Sequence, residues 1–83
     1  MTAFQCLAVI INYATLMISD KTDFHAFMED VSSTIKHYRG NDMSWEIVQS
    51  LLCERAKILA DRDTFDDCYP KILEAMETLR NLN

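Results

Sequence analysis

The sequence predicts an all-α protein, a small antiparallel four-helix bundle that forms a single domain over residues 1–83. Hydrophobic residues make up 49% of the chain, which is enough for a compact core and too many for a disordered segment. The chain has one glycine and one proline, whereas a protein of many short strands needs turn residues at every reversal. Apolar residues recur at helical spacing over four segments, 3–19, 23–38, 43–61 and 67–82.

Short polar joints separate these segments, and each contains an Asp or Thr that can accept hydrogen bonds from the free N–H groups of the next helix. Gly40 suits the left-handed position that ends a helix, and we expect Pro70 in the first turn of a shorter fourth helix, where its missing N–H costs little. The predicted joints are Ser19-Asp20-Lys21-Thr22, Arg39-Gly40-Asn41-Asp42 and Asp61-Arg62-Asp63-Thr64.

The first segment is apolar around most of its circumference. Its polar or small residues form one narrow stripe: Gln5, Ala8, Asn12, Thr15 and Ser19. A helix of this kind must be covered on most sides, so we expect it either at the centre of the bundle or at a homodimer contact or partner groove. The side chains expected to form such an apolar interface are Phe4, Val9, Tyr13 and Met17.

The second and fourth segments each carry one ordinary apolar stripe, the fourth extended upstream by Phe65. The third segment has a wider apolar face: Trp45, Ile47, Val48, Leu51, Leu52, Ala56, Ile58 and Leu59. Arg55 lies within this face. It is expected either to lay its stem on the core and pair with an acid on a neighbouring helix, or to anchor a carboxylate or phosphate.

The chain is acidic, with 13 acidic and 8 basic residues and a net charge of -5. Direct nucleic-acid binding is therefore disfavoured, because affinity for the phosphate backbone comes from Lys and Arg. The densest cluster lies at the entrance to the fourth helix and contains Asp61, Asp63, Asp66 and Asp67; a second zone contains Asp20, Asp23, Glu29 and Asp30. These carboxylates are expected either to stabilise helix N-termini or to form a patch for a basic partner surface.

No arrangement in the sequence predicts a metal site, a cofactor or a catalytic centre. His25 and His37 lack ligands at one-turn spacing, and Cys6, Cys53 and Cys68 are far apart, which favours free thiols in a reducing, cytoplasmic compartment. A chain with one glycine cannot build a glycine-rich phosphate loop. The first segment is too short and too polar for a membrane span, so no membrane association is expected.

The stretch Gly40-Asn41-Asp42-Met43-Ser44-Trp45 loosely resembles the motif of small acidic carrier proteins, which attach a phosphopantetheine arm to the serine of an Asp-Ser-Leu sequence. This resemblance implies modification at Ser44. Here, however, a Met separates the Asp from the Ser, and Trp replaces Leu. The other interpretation is that Asp42 or Ser44 caps the third helix.

Together these features favour a non-enzymatic protein-binding module that acts as a stoichiometric inhibitor or antidote and occludes a basic surface of another protein. Bacteriocin immunity proteins, phage anti-defence proteins and antitoxins share this profile in general terms. The alternative is a small structural subunit of a homo- or hetero-oligomer that assembles through the first helix.

Overall fold

The computed structural model describes residues 1–39 and 44–82. Over these residues the chain forms four α-helices, α1 (Ala3–Met17), α2 (Lys21–Arg39), α3 (Trp45–Leu59) and α4 (Arg62–Arg80), so the predicted all-α bundle is confirmed. The predicted helix end at Gly40, the cap at Asp42 and the helix start at position 43 lie outside the described residues, as do the side chains of His37 and Tyr38.

Three of the four helices begin with a side-chain cap. Thr2 and Gln5 form a reciprocal capping box, in which the Thr2 hydroxyl accepts the Gln5 N–H at 3.1 Å and the Gln5 amide oxygen accepts the Thr2 N–H at 2.8 Å. Asp20 accepts the Asp23 N–H at 2.9 Å at the start of α2. The Ser44 hydroxyl lies 3.4 Å from the Ile47 N–H, so Ser44 caps α3.

The start of α4 differs from the prediction. The helix begins at Arg62, directly after Asp61, so residues 62–66 are helical and only Ala60 and Asp61 separate α3 from α4. With 19 residues α4 is as long as α2, and Pro70 lies in its interior, beyond the first turn. The missing Pro70 N–H leaves the Asp66 carbonyl without its helical donor, and both residues face solvent, where water can replace that hydrogen bond.

The helices pack in two pairs, α1 on α4 and α2 on α3. The Met17 carbonyl at the end of α1 accepts the Asp61 N–H at 2.9 Å and the Thr64 hydroxyl at 3.2 Å at the start of α4. Because the end of α1 meets the start of α4, this pair runs antiparallel. The core lies between the pairs and contains fully buried Phe27, Ile10, Met17, Ile72 and Val31.

Among the described residues, packing covers α1 on one side only. Its buried residues are Cys6, Ile10, Ala14 and Met17, which follow one another at spacings of four, four and three. The described helices therefore do not enclose α1 on most sides. The other expected position, at a dimer contact, stays a prediction.

Candidate binding surfaces

The apolar stripe on the outer side of α1 consists of Phe4, Leu7 and Ile11. Their exposed fractions are 80%, 39% and 44%, although side chains of this size are usually buried. Spacings of three and four residues place them in one row along the helix. No side chain between residues 1 and 19 carries a charge, so this row lies on an electrically neutral helix.

The predicted interface set on α1 needs correction. Phe4 is exposed as expected, but Met17 is fully buried in the core. Val9 and Tyr13 are half-buried and line a groove of about 220 Å³ between α1 and α4, together with Lys71 and other α4 residues. Phe4 is therefore the one member of the predicted set that lies in the apolar stripe.

The sequence pattern did not single out Leu7 and Ile11. Both were counted among the apolar residues of the first segment, but a helix that is apolar nearly all round gives no signal for which side faces the core. In the structure, the row of buried residues identifies the side of α1 that faces the core. The apolar stripe lies on the part of the helix surface that faces away from the core. Leu16, which is also exposed, lies apart from the stripe.

The wide apolar face predicted for α3 also divides into two sides. Trp45, Val48, Leu52 and Ala56 are buried, whereas three residues predicted for the same face are exposed: Ile47, Leu51 and Ile58. At 100° per residue, Glu54 falls on the same outer row as these three. The outer face of α3 is therefore apolar but interrupted by a carboxylate.

The acidic patch at the start of α4 is exposed. Asp61 occupies the N-cap position without a side-chain cap hydrogen bond, and Asp63 lies in the first turn. Asp66 and Asp67 follow in the next turn, and none of the four aspartates forms an ion pair within the part of the chain that the structure describes. The patch therefore has both a role at the helix N-terminus and carboxylates accessible from solvent.

The second acidic zone extends from the residue before α2 to about the middle of that helix. Its members have different neighbours. Asp20 and Asp23 form the cap of α2, and Glu29 is exposed. The Asp30 carboxylate accepts a hydrogen bond from Nε of Arg55 at 2.7 Å. Two members of this zone thus stabilise a helix start, and one joins α2 to α3.

Arg55 therefore takes the ion-pair role, one of the two expected for it. The pair borders a groove of about 340 Å³ between α2 and α3, whose apolar lining includes Val48 and Leu52. Because both partners are partly exposed, solvent weakens the pair to less than about 1 kcal/mol. Anchoring of an anion by Arg55 stays a prediction.

A polar cluster joins the start of α3 to the end of α4. One Glu77 oxygen accepts hydrogen bonds from the Trp45 indole and, at 2.9 Å, from the Gln49 amide. Arg80 lies 3.4 Å from the other Glu77 oxygen and places its guanidinium 5.1 Å from the centre of the Trp45 ring. This cluster stabilises packing between the two helices.

Perturbed ionisable groups occur in the core. Burial raises the pKa of Tyr69, with a smaller contribution from Cys53, and the Tyr69 hydroxyl has no hydrogen-bond partner among the described residues. Burial also raises the pKa of Cys68, with a smaller contribution from Asp67. Both shifts favour the neutral form, whereas a nucleophilic thiolate needs a lowered pKa.

Within the described part of the chain, the structure brings together no residues of a metal site. The described residues contain no group of three or more His, Cys, Asp or Glu side chains able to hold a metal ion. Cys6, Cys53 and Cys68 are free thiols.

Within residues 1–39 and 44–82, none of the helices combines the length and apolar character that a membrane crossing requires. Compared with protein families, curated proteins and solved structures, the chain shows no match.

Proposed function

We propose that the chain is a non-enzymatic protein-binding module that binds its partner through the apolar stripe of α1. The observation that carries this proposal is the exposure of Phe4, Leu7 and Ile11 in one row of a neutral helix. Contiguous exposed apolar surface on a small protein is typical of an interaction site. Rows of apolar side chains at spacings of three and four are also how helices recognise other helices.

Burial of the apolar stripe by a partner can contribute substantially to the free energy of binding. Full burial of a Leu, Ile or Phe side chain is worth about 1.5–3 kcal/mol. The exposed fractions of Phe4, Leu7 and Ile11 together correspond to between one and two fully exposed side chains, which gives about 2–5 kcal/mol if a partner covers them. This gain must exceed the entropic cost of association, so a partner has to contribute apolar surface of its own.

A matched set of variants tests this function. Phe4→Ser together with Ile11→Ser removes two of the three side chains of the apolar stripe, whereas Ile58→Ser removes an apolar side chain of α3 that is 74% exposed. Tagged wild type and both variants are used as bait in lysate of the encoding cells, with bound proteins identified by mass spectrometry. We expect at least one protein, including untagged copies of the chain, to bind wild type and Ile58→Ser but not the α1 variant. Equal binding by all three baits would contradict the proposal.

The acidic patch of Asp61, Asp63, Asp66 and Asp67 favours a second candidate function, an inhibitor or antidote that occludes a basic protein surface. Exposed carboxylates of one sign accelerate association with a basic partner and make binding sensitive to salt. Replacement of all four aspartates by Asn should then slow association and flatten its dependence on salt. An unchanged rate at low and high salt would contradict this candidate.

Three free cysteines favour a reducing compartment, and we place the protein in the cytoplasm.

Modification of Ser44 by phosphopantetheine gains no support from its position, since its hydroxyl serves as the cap of α3. The intact mass after expression with a phosphopantetheinyl transferase tests this alternative, for which an unmodified chain is the expected result.

A further inference from the structure

We infer that the partner that covers the apolar stripe of α1 is a second copy of this chain. The inference rests on the proposed function, because it names the occupant of the same surface. It follows from where the charges of the molecule lie relative to Phe4, Leu7 and Ile11.

No residue of α1 has a charged side chain. All 13 acidic and 8 basic residues lie at position 20 or beyond, so neither a basic nor an acidic partner gains Coulomb attraction from the apolar stripe itself. An uncharged apolar row is complementary to another uncharged apolar row. A second copy supplies that row automatically, since a two-fold contact brings the same patch of both molecules together.

Two copies of the chain repel each other, because each carries a net charge of -5. Val9 and Tyr13 face α4 across the groove that Glu74 also lines. They lie roughly half a turn around α1 from Phe4 and Ile11, so contact through the apolar stripe keeps the carboxylates of α4 on the far side of the helix. Salt screens interactions beyond about 8–10 Å at physiological ionic strength, which weakens the repulsion that these α4 carboxylates exert across the contact.

The outer face of α3 is less suited to pairing with a copy of itself than the apolar stripe of α1. Its outer row, Ile47, Leu51 and Ile58, is also apolar, but Glu54 lies within it. Pairing of two such rows would place a carboxylate against apolar side chains, which is costly unless the charge is paired. The apolar stripe of α1 has no such interruption, and its spacings of three and four match those of paired helices.

The interface is small, because α1 has 15 residues and spans about 22 Å. Contacts of this size are typical of weak, reversible association, so we expect a monomer–dimer equilibrium over about 1–500 µM. Analytical ultracentrifugation over this concentration range tests the inference on wild type, Phe4→Asp and Ile58→Asp. Phe4 is 80% and Ile58 74% exposed, so neither variant removes core packing.

The expected result is a reversible dimer of wild type whose dissociation constant rises at least tenfold in Phe4→Asp and stays within about twofold in Ile58→Asp. Raising NaCl from about 50 to 500 mM should strengthen the dimer, because salt screens the repulsion between the two acidic chains. A basic partner would instead be released by salt.

Wild type that stays monomeric at every concentration would overturn the inference, as would a dimer that is lost in Ile58→Asp but kept in Phe4→Asp. The proposed function fails separately. If the chain is monomeric but still binds another protein that the α1 variant loses, only the second copy is excluded. If no such protein binds either, both proposals are excluded.

Discussion

The one-sided burial of α1 predicts very different costs for two adjacent isoleucines. Ile10 is 0% exposed and Ile11 is 44% exposed. Replacement of a fully buried Ile by Ala costs about 2–5 kcal/mol, because it removes transfer free energy and leaves a cavity. For Ile11→Ala roughly half of a transfer term of 1.5–3 kcal/mol is lost, and the better helix propensity of Ala restores about 0.4 kcal/mol, so the net cost is about 0.5 kcal/mol.

Thermal unfolding followed by circular dichroism measures both costs, at about 2 µM protein to keep association between copies small. For a domain of this size 1 kcal/mol shifts Tm by roughly 4–8 °C, so Ile10→Ala should lower Tm by more than about 8 °C and Ile11→Ala by less than about 5 °C. A natural domain of 83 residues has only about 4–12 kcal/mol of stability, so Ile10→Ala removes a large share of it. Equal losses in the two variants would mean that the bundle encloses α1 on both sides, and would refute the structural basis of the apolar stripe.

The other predictions concern the remaining contacts. Glu77→Ala removes the hydrogen bond that Glu77 accepts from the Trp45 indole and should cost about 1–2 kcal/mol, visible as thermal unfolding at a lower temperature in Trp45 fluorescence. Arg55→Met removes the exposed pair with Asp30 and should change stability by less than about 1 kcal/mol. Because burial raises the pKa of Tyr69, its contribution to stability is complete below its unfolded pKa of about 10 and is lost as the pH rises further. Tyr69→Phe should therefore shift alkaline unfolding, measured by circular dichroism, to higher pH.

Local signals predicted much of the fold. A capping Asp or Thr before α2, and a cap at Asp42 or Ser44 before α3, followed from residue type and position; the structure shows caps at Asp20 and Ser44. Phe65 continues the apolar row of α4 upstream, but the aspartates around it are typical of a polar joint, and Pro70 is typical of a first turn. Carboxylates stabilise the first turns of a helix, so the same residues are compatible with the earlier start at Arg62 that the structure has.

The candidate surface could not be predicted in the same way. Periodicity shows that a segment is helical and which side of it is polar, but α1 has apolar residues on nearly every side. Which of those residues face the core depends on how α1 packs on α4, a tertiary contact that the spacing does not encode. The same reason explains why Ile47, Leu51 and Ile58 were grouped with the buried residues of α3.

Charge exchange at Leu7 tests the proposed self-association, because Leu7 is the middle residue of the apolar stripe and would lie at the axis of a two-fold contact centred on that stripe. Leu7→Asp and Leu7→Lys are each sedimented alone and then as an equal mixture, with circular dichroism as a check that both variants are folded. We expect each variant alone to be monomeric at concentrations at which wild type dimerises, and the mixture to form a one-to-one heterodimer. A mixture that stays monomeric, or a Leu7→Asp protein that dimerises as wild type does, would contradict the proposed self-association.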